Sequence, residues 1–215
     1  MYQTGNPQTA GGVTYDPVDV SNPADVPAAG ATAIHLLVPQ SGSGTRSFFA
    51  SAMGISATSL PAWVKDTFVP TAGGAAQSVQ EHDGTAVALD RNALMPYSIA
   101  QWLAQESHPA IDRRNGARLR NVGTLSPTDA TGLRLNTSWH PTLLREVYNV
   151  IPFAATTAST GTSYLNDLWK IFVGNNALFG ICSSSRITEY GFGRLSTTRC
   201  GQVDPALRAY DSTQW

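Results

Sequence analysis

The stretch that decides the fold is IHLLVPQSGSGTRSFFASAMG, residues 34–54, in which an apolar run leads through a glycine-serine loop into a second apolar stretch. Residues 34–38 lie between Gly30 and Pro39, and a short apolar run with such boundaries is typical of a buried strand. Residues 47–53 carry two phenylalanines and a methionine on roughly one face of a predicted helix. The stretch therefore predicts a strand, a loop and a helix in that order.

The loop between this strand and this helix has the composition of an anion-binding turn. Its glycines allow the backbone to approach a ligand closely, and its hydroxyl groups can donate hydrogen bonds. The first N–H groups of the following helix have no partner within the helix, and the helix dipole favours a negative ligand there. The candidate ligand-binding residues are Ser41, Gly42, Ser43, Gly44, Thr45 and Arg46. The alternative is a plain turn that caps the helix.

Two catalytic or nucleotide-binding motifs are excluded at this loop. The pattern G-x-x-x-x-G-K-[ST] of a P-loop is absent, and a nucleophile elbow would need glycine where Ser41 stands. A serine hydrolase with Ser43 as nucleophile stays open as a minor alternative, although no histidine lies in a suggestive motif. We therefore expect a binding protein and not an enzyme.

The remaining pattern alternates short strands with helices, which favours an α/β fold. The predicted strands are residues 34–38, 93–97, 119–122 and 147–153, and the predicted helices are residues 47–53, 62–68, part of 76–90, 98–106, 164–175 and 177–184.

Composition narrows the possible partners and the compartment. The formal net charge is −1, so the sequence offers no electrostatic footprint for nucleic acid. Cys182 and Cys200 can form a disulfide, remain free thiols or, least favoured, bind a metal. A disulfide between them closes a loop of about 19 residues and is worth about 3 kcal/mol in the chain-entropy model. We favour the disulfide, which implies an oxidising compartment, and predict neither a cofactor nor a metal site.

Residues 34–54 closely resemble the ligand loop of periplasmic phosphate-binding proteins, the solute-binding components of ABC transporters. Four further segments resemble later parts of that family in the same order, across roughly residues 30–198. They are EHDGTAVALDRNALMPYSIAQWLA (81–104), RLRNV (118–122), REVYNVIPF (145–153) and LNDLWKIFVGNNALFGICSSSRITEYGFGRLS (165–196).

The resemblance implies a type 2 periplasmic-binding fold, with residues 1–145 as the second lobe and residues 146–215 as a segment returning to the first lobe. It implies that the run from Ser43 to Thr45 binds phosphate or a similar oxyanion. The family's arginine before the loop and aspartate within it fall on Pro39 and Ser41, so Arg46 is the cation left at the loop.

The same resemblance implies an extracellular or cell-surface protein whose partners are a small anion and an ABC transporter permease. Nothing before residue 30 resembles the family's first ligand loop, so a missing N-terminal lobe or a parent chain is expected as a further partner. The main alternative is a structural or cell-surface protein that keeps the fold without binding a ligand.

Overall fold

The computed structural model describes residues 1–174 and 180–207 of the chain. Within these residues one sheet consists of β1 (Gln8–Ala10), β2 (Val13–Pro17), β3 (Thr32–Leu37), β4 (Val64–Lys65) and β7 (Ala93–Leu94), and β5 (Thr67–Phe68) pairs separately with β6 (Gln77–Ser78). The α-helices are α1 (Gly44–Met53), α2 (Thr85–Leu89), α3 (Ile99–Ser107), α4 (Tyr164–Phe172) and α5 (Arg186–Glu189). Short 3₁₀ turns span Pro109–Ile111, Pro141–Leu143, Phe153–Thr157, Ile181–Ser183 and Pro205–Leu207.

Strand β3 is the centre of the larger sheet. Its first half pairs in parallel with β2, and its second half pairs in parallel with β4 and with β7. Strand β1 pairs with β2 in the antiparallel sense, so the sheet is mixed. The predicted mixture of helices and strands is confirmed at this level.

The core lies on both faces of β3 because successive side chains of a strand point to opposite faces. Leu36 and Val38 pack with Tyr2 and Val64 in one cluster, and Leu37 packs with buried residues that include Val79 in a second. The hydroxyl of Tyr2 lies 2.9 Å from the carbonyl oxygens of both Leu37 and Leu94. Burial raises the pKa of Tyr2, so the phenol stays protonated and ties the chain start to the sheet.

Several elements predicted from the sequence are confirmed. The strand predicted at residues 34–38 is β3, and the helices predicted at 47–53, 98–106 and 164–175 are α1, α3 and α4. Each helix begins after a serine, at position 43, 98 or 163, whose side chain accepts a hydrogen bond from the backbone N–H three residues later. Residue 175 lies outside the described residues.

Three predicted elements are wrong, and tertiary pairing decides each case. Residues 62–68 do not form a helix, because β4 pairs with β3 and β5 pairs with β6. Residues 119–122 form only an isolated bridge from Val122 to Leu125. Residues 147–153 form no strand, and the side chain of Val150 is 97% exposed, so this segment has no sheet partner to stabilise it.

The strand predicted at residues 93–97 is present as β7, and part of the helix predicted within 76–90 is α2. Two further predictions concern the segment that contains the two cysteines. Of the helix predicted at 177–184, residues 177–179 lie outside the described residues, and Ile181–Ser183 forms a 3₁₀ turn. Cys182 and Cys200 form a disulfide with a Cα–Cα distance of 5.8 Å, which confirms the predicted bond. Among the described residues no helix is long and apolar enough to cross a membrane.

Candidate anion-binding site

The candidate loop, residues 41–46, runs from beyond the carboxyl end of β3 into the first turn of α1. Gly42 has a φ of +85°, a left-handed conformation that favours glycine at this turn. Ser43 is the N-cap of α1, and its Oγ accepts a hydrogen bond of 3.1 Å from the backbone N–H of Arg46. A ligand crevice at the carboxyl ends of parallel strands, next to a helix start, is a common arrangement in α/β proteins.

The loop residues divide by exposure. Ser41, Gly42 and Gly44 are exposed, whereas Ser43 and Thr45 are buried. The exposed backbone is therefore the part that a ligand reaches directly, and the two buried hydroxyls lie beneath it.

Arg46 is only 4% exposed, and its guanidinium bonds to other parts of the protein. Nε donates to the carbonyl of Ala57 at 2.7 Å, and Nη1 donates to the carbonyl of Pro39 at 3.1 Å and to Oδ2 of Asp66 at 2.7 Å. These bonds tie the start of α1 to the residues after α1 and to the segment after β4. Arg46 therefore has a clear positioning role, and its binding of a ligand stays a prediction.

The buried hydroxyls of the loop hold a carboxylate of the protein itself. Thr45 Oγ1 donates to Oε1 of Glu81 at 2.6 Å, and Ser43 also donates to this carboxylate. Burial raises the pKa of Glu81, but hydrogen bonds from both hydroxyls and from the Thr45 backbone, with the charge of His82, outweigh it and hold the pKa below its usual value. The start of α1 thus already stabilises one negative charge.

Two neighbours fix Glu81 in this position. The backbone N–H of Glu81 donates to Oε1 of Gln40 at 3.2 Å, and His82 Nε2 lies 2.9 Å from Oε1 of Glu81. His82 has a φ of 63°, and its carbonyl accepts from Nε2 of Gln105 on α3 at 2.9 Å. Neither spacing nor motif in the sequence predicts that Glu81 lies against the loop.

A cation from a distant part of the chain also reaches the loop. Nη2 of Arg145 lies 3.9 Å from the position that a Cβ on Gly44 would occupy. The guanidinium carbon of Arg145 lies 5.0 Å from the centre of the Phe48 ring, in a cation–π contact. Arg145 is exposed, and among the described residues no carboxylate pairs with it. The sequence carried no local signal for this position, because the contact joins residues 101 positions apart.

These groups together can hold an anion. The exposed backbone at Gly44 lies near the guanidinium of Arg145, which has no carboxylate partner among the described residues, and the ionised carboxylate of Glu81 bonds to the neighbouring Thr45. No three His, Cys, Asp or Glu side chains of the described part of the chain converge to hold a metal ion.

No protein-family model, curated protein or solved structure matches this chain. The periplasmic-binding fold and the phosphate-binding family therefore stay predictions that rest on the sequence resemblance.

Proposed function

We propose that this chain is part of an extracellular solute-binding protein that holds phosphate or a similar oxyanion at the start of α1. The observation that carries the proposal is the guanidinium of Arg145 beside Gly44, which has no carboxylate partner in the part of the chain that the structure describes. It supplies a cation at the loop, where the sequence has Pro39 and Ser41 in place of the family's charged residues. A guanidinium can form two charge-assisted hydrogen bonds with an oxyanion, which fits this role.

The position of Glu81 narrows the class of anion. Its depressed pKa means that the carboxylate is ionised at neutral pH and accepts hydrogen bonds only. An anion bound beside it meets repulsion unless the anion brings a proton that it can donate to the carboxylate. Monohydrogen phosphate carries such a proton at neutral pH and sulfate does not, so the site favours phosphate.

A role in transport is proposed from the sequence resemblance and from an oxidising, extracellular compartment. The disulfide is compatible with an oxidising, extracellular location. In a two-lobed solute-binding protein the second wall of the cleft comes from the other lobe, and the lobes close around the ligand by a hinge. An ABC transporter permease is therefore the proposed macromolecular partner.

A second candidate is a ligand-silent structural or cell-surface protein. One specific observation favours it: Ser43 already accepts from Arg46 and donates to Glu81, and Thr45 donates to the same carboxylate. In this case Glu81 is the permanent internal anion of the loop. The two candidates differ in whether any external anion binds.

Isothermal titration of inorganic phosphate and of sulfate at neutral pH separates these candidates. For the solute-binding protein we expect phosphate to bind about tenfold more tightly than sulfate, because only phosphate donates to Glu81. Glu81→Gln should reduce this preference by removing the repelling charge. Arg145→Met should weaken phosphate binding about tenfold. Arg120 is an exposed arginine away from the loop, so Arg120→Met should leave the affinity for phosphate unchanged.

Folded wild-type protein that binds neither anion would support the ligand-silent candidate. Binding that survives Arg145→Met unchanged would place the anion elsewhere and overturn the proposed site.

A further inference from the structure

A large groove that Arg145 helps to line lies next to the candidate loop. It has a volume of about 730 Å³ and runs between residues 135–149 and residues 181–200. We call it the Arg145 groove; its apolar lining includes Leu135, Leu144, Ile187, Phe192 and Leu195. Small-molecule sites commonly have volumes of this size and a largely apolar lining with a few polar groups.

The groove is positively charged after its ion pairs are considered. Among its arginines, Arg186 pairs with Glu189 at 2.7 Å and Arg199 pairs with Glu146 at 2.6 Å. Arg194 donates to the carbonyl of Ser184 at 2.9 Å, and within the described residues neither Arg194 nor Arg145 has a carboxylate partner. Two guanidinium charges therefore remain uncompensated beside an apolar surface, which favours an anionic ligand with an apolar body.

Arg145 links this groove to the candidate anion site. It lines the groove, and its Nη2 also lies near Gly44 at the start of α1. The turn Pro141–Leu143 just before it packs against α1, so the loop and the groove are neighbours through one short segment. Inorganic phosphate at the loop would leave most of the groove unfilled.

We propose that the natural ligand is an organic phosphate, a phosphomonoester whose phosphate lies between Gly44 and Arg145 and whose apolar body occupies the Arg145 groove. This inference rests on the proposed function, because it assigns a ligand class to the same anion site. The apolar body adds burial of nonpolar surface to the charge-assisted bonds at the phosphate, and the two contributions are separable by experiment.

The test compares phenyl phosphate, inorganic phosphate and phenol by isothermal titration. We expect phenyl phosphate to bind about tenfold or more tightly than inorganic phosphate, and phenol to give no measurable binding. Phe192→Ser should remove the advantage of phenyl phosphate while leaving inorganic phosphate unchanged. Arg145→Met should weaken the binding of both phenyl phosphate and inorganic phosphate.

Leu195→Ser is a second groove variant, and Val150→Ser is the matched control outside the groove. Both Phe192 and Leu195 are partly exposed, at 37% and 39%, so the variants are expected to fold, as circular dichroism will show. The control should bind phenyl phosphate and inorganic phosphate as the wild type does, and should not bind phenol.

Four outcomes overturn the inference in distinguishable ways. If inorganic phosphate binds and phenyl phosphate binds no more tightly, or keeps its advantage in both groove variants, the ligand class is wrong and the proposed function stands. If phenol binds as well as phenyl phosphate and Arg145→Met has no effect, the groove is a neutral apolar site. If neither anion binds, the inference fails together with the proposed function.

Discussion

The two halves of this molecule are stabilised in different ways. All buried apolar side chains of the described residues except Pro127 and Ala155 lie in the N-terminal region, residues 1–107. The C-terminal region, residues 108–207 without 175–179, holds short turns and strongly exposed apolar residues such as Leu133 at 60% and Val150 at 97%. A disulfide cross-links the second region, where a hydrophobic core stabilises the first. The candidate anion site lies where the two meet, since its loop is in the first region and Arg145 in the second.

The largest effect should come from opening the N-terminal core. Leu36 is 1% exposed between β4 and β7, so Leu36→Ala removes buried methyl groups and leaves a cavity. We expect it to lower the free energy of unfolding by about 2–5 kcal/mol in urea titrations. Val150→Ala is the matched control and should change it by less than about 0.5 kcal/mol. Equal losses in the two variants would contradict the division into regions.

The disulfide should matter mainly to the C-terminal region. Replacing Cys182 and Cys200 together with serine removes the cross-link between the Ile181–Ser183 turn and residue 200. We expect about 3 kcal/mol of destabilisation, seen as faster hydrogen exchange and proteolysis in residues 181–207. Exchange at β3 should stay as in the wild type. If β3 exchanges as fast as the C-terminal residues, the two regions unfold as one unit.

A smaller effect should follow from the ion pair beneath the loop. Asp66→Asn keeps the shape but leaves Nη1 of the buried Arg46 with a weaker acceptor. Because the Asp66 side chain is 37% exposed, we expect a loss of about 1–2 kcal/mol in thermal unfolding, less than for a fully buried pair. Asp167→Asn, in a 63% exposed pair on α4, should have no measurable effect. If Asp66→Asn leaves the thermal stability unchanged, the buried Arg46 does not need the Asp66 carboxylate as a partner.

The smallest effect is a pH dependence of the N-terminal region. Burial lowers the pKa of His82 below 6.5 more than Glu81 raises it, so protonation of His82 favours the unfolded chain. The free energy of unfolding should therefore fall as pH drops through the range below 6.5. His82→Asn, which also tolerates positive φ, should remove this step.

Glu81 adds a second step at lower pH. Its pKa in the folded protein lies below 4.5, so its contribution to stability is present above 4.5 and is lost as pH falls through the folded value. Glu81→Gln should remove this step. A stability that rises on acidification in either range would contradict the assigned directions.

The sequence predicted those parts of the fold that local pattern determines. The apolar run before Pro39 and the serine caps before α1, α3 and α4 are local signals, and all four elements form. Residues 62–68 carry a helix-like spacing, but Val64 and Phe68 belong to strands because distant partners are available. Residues 147–153 carry a strand-like pattern and find no such partner.

The sequence predicted the candidate site only in part, because some of its contacts join residues that are distant along the chain. Gly42 and the Ser43 cap follow from local loop chemistry, and both are present. Glu81 and Arg145 reach the loop across 36 and 101 positions from Thr45 and Gly44, and no spacing rule predicts such contacts. The inward turn of Arg46 depends on Asp66 and on two carbonyl groups that the sequence alone does not place.

The most direct test of the anion site is a titration of isotope-labelled protein with inorganic phosphate at neutral pH, followed by amide and arginine side-chain NMR signals. We predict saturable shifts at the backbone N–H group of Gly44 and at the Arg145 side chain, with Arg120 unchanged. Shifts that are absent from folded protein, or that occur only away from residues 41–46 and 145, would contradict an anion site at the start of α1.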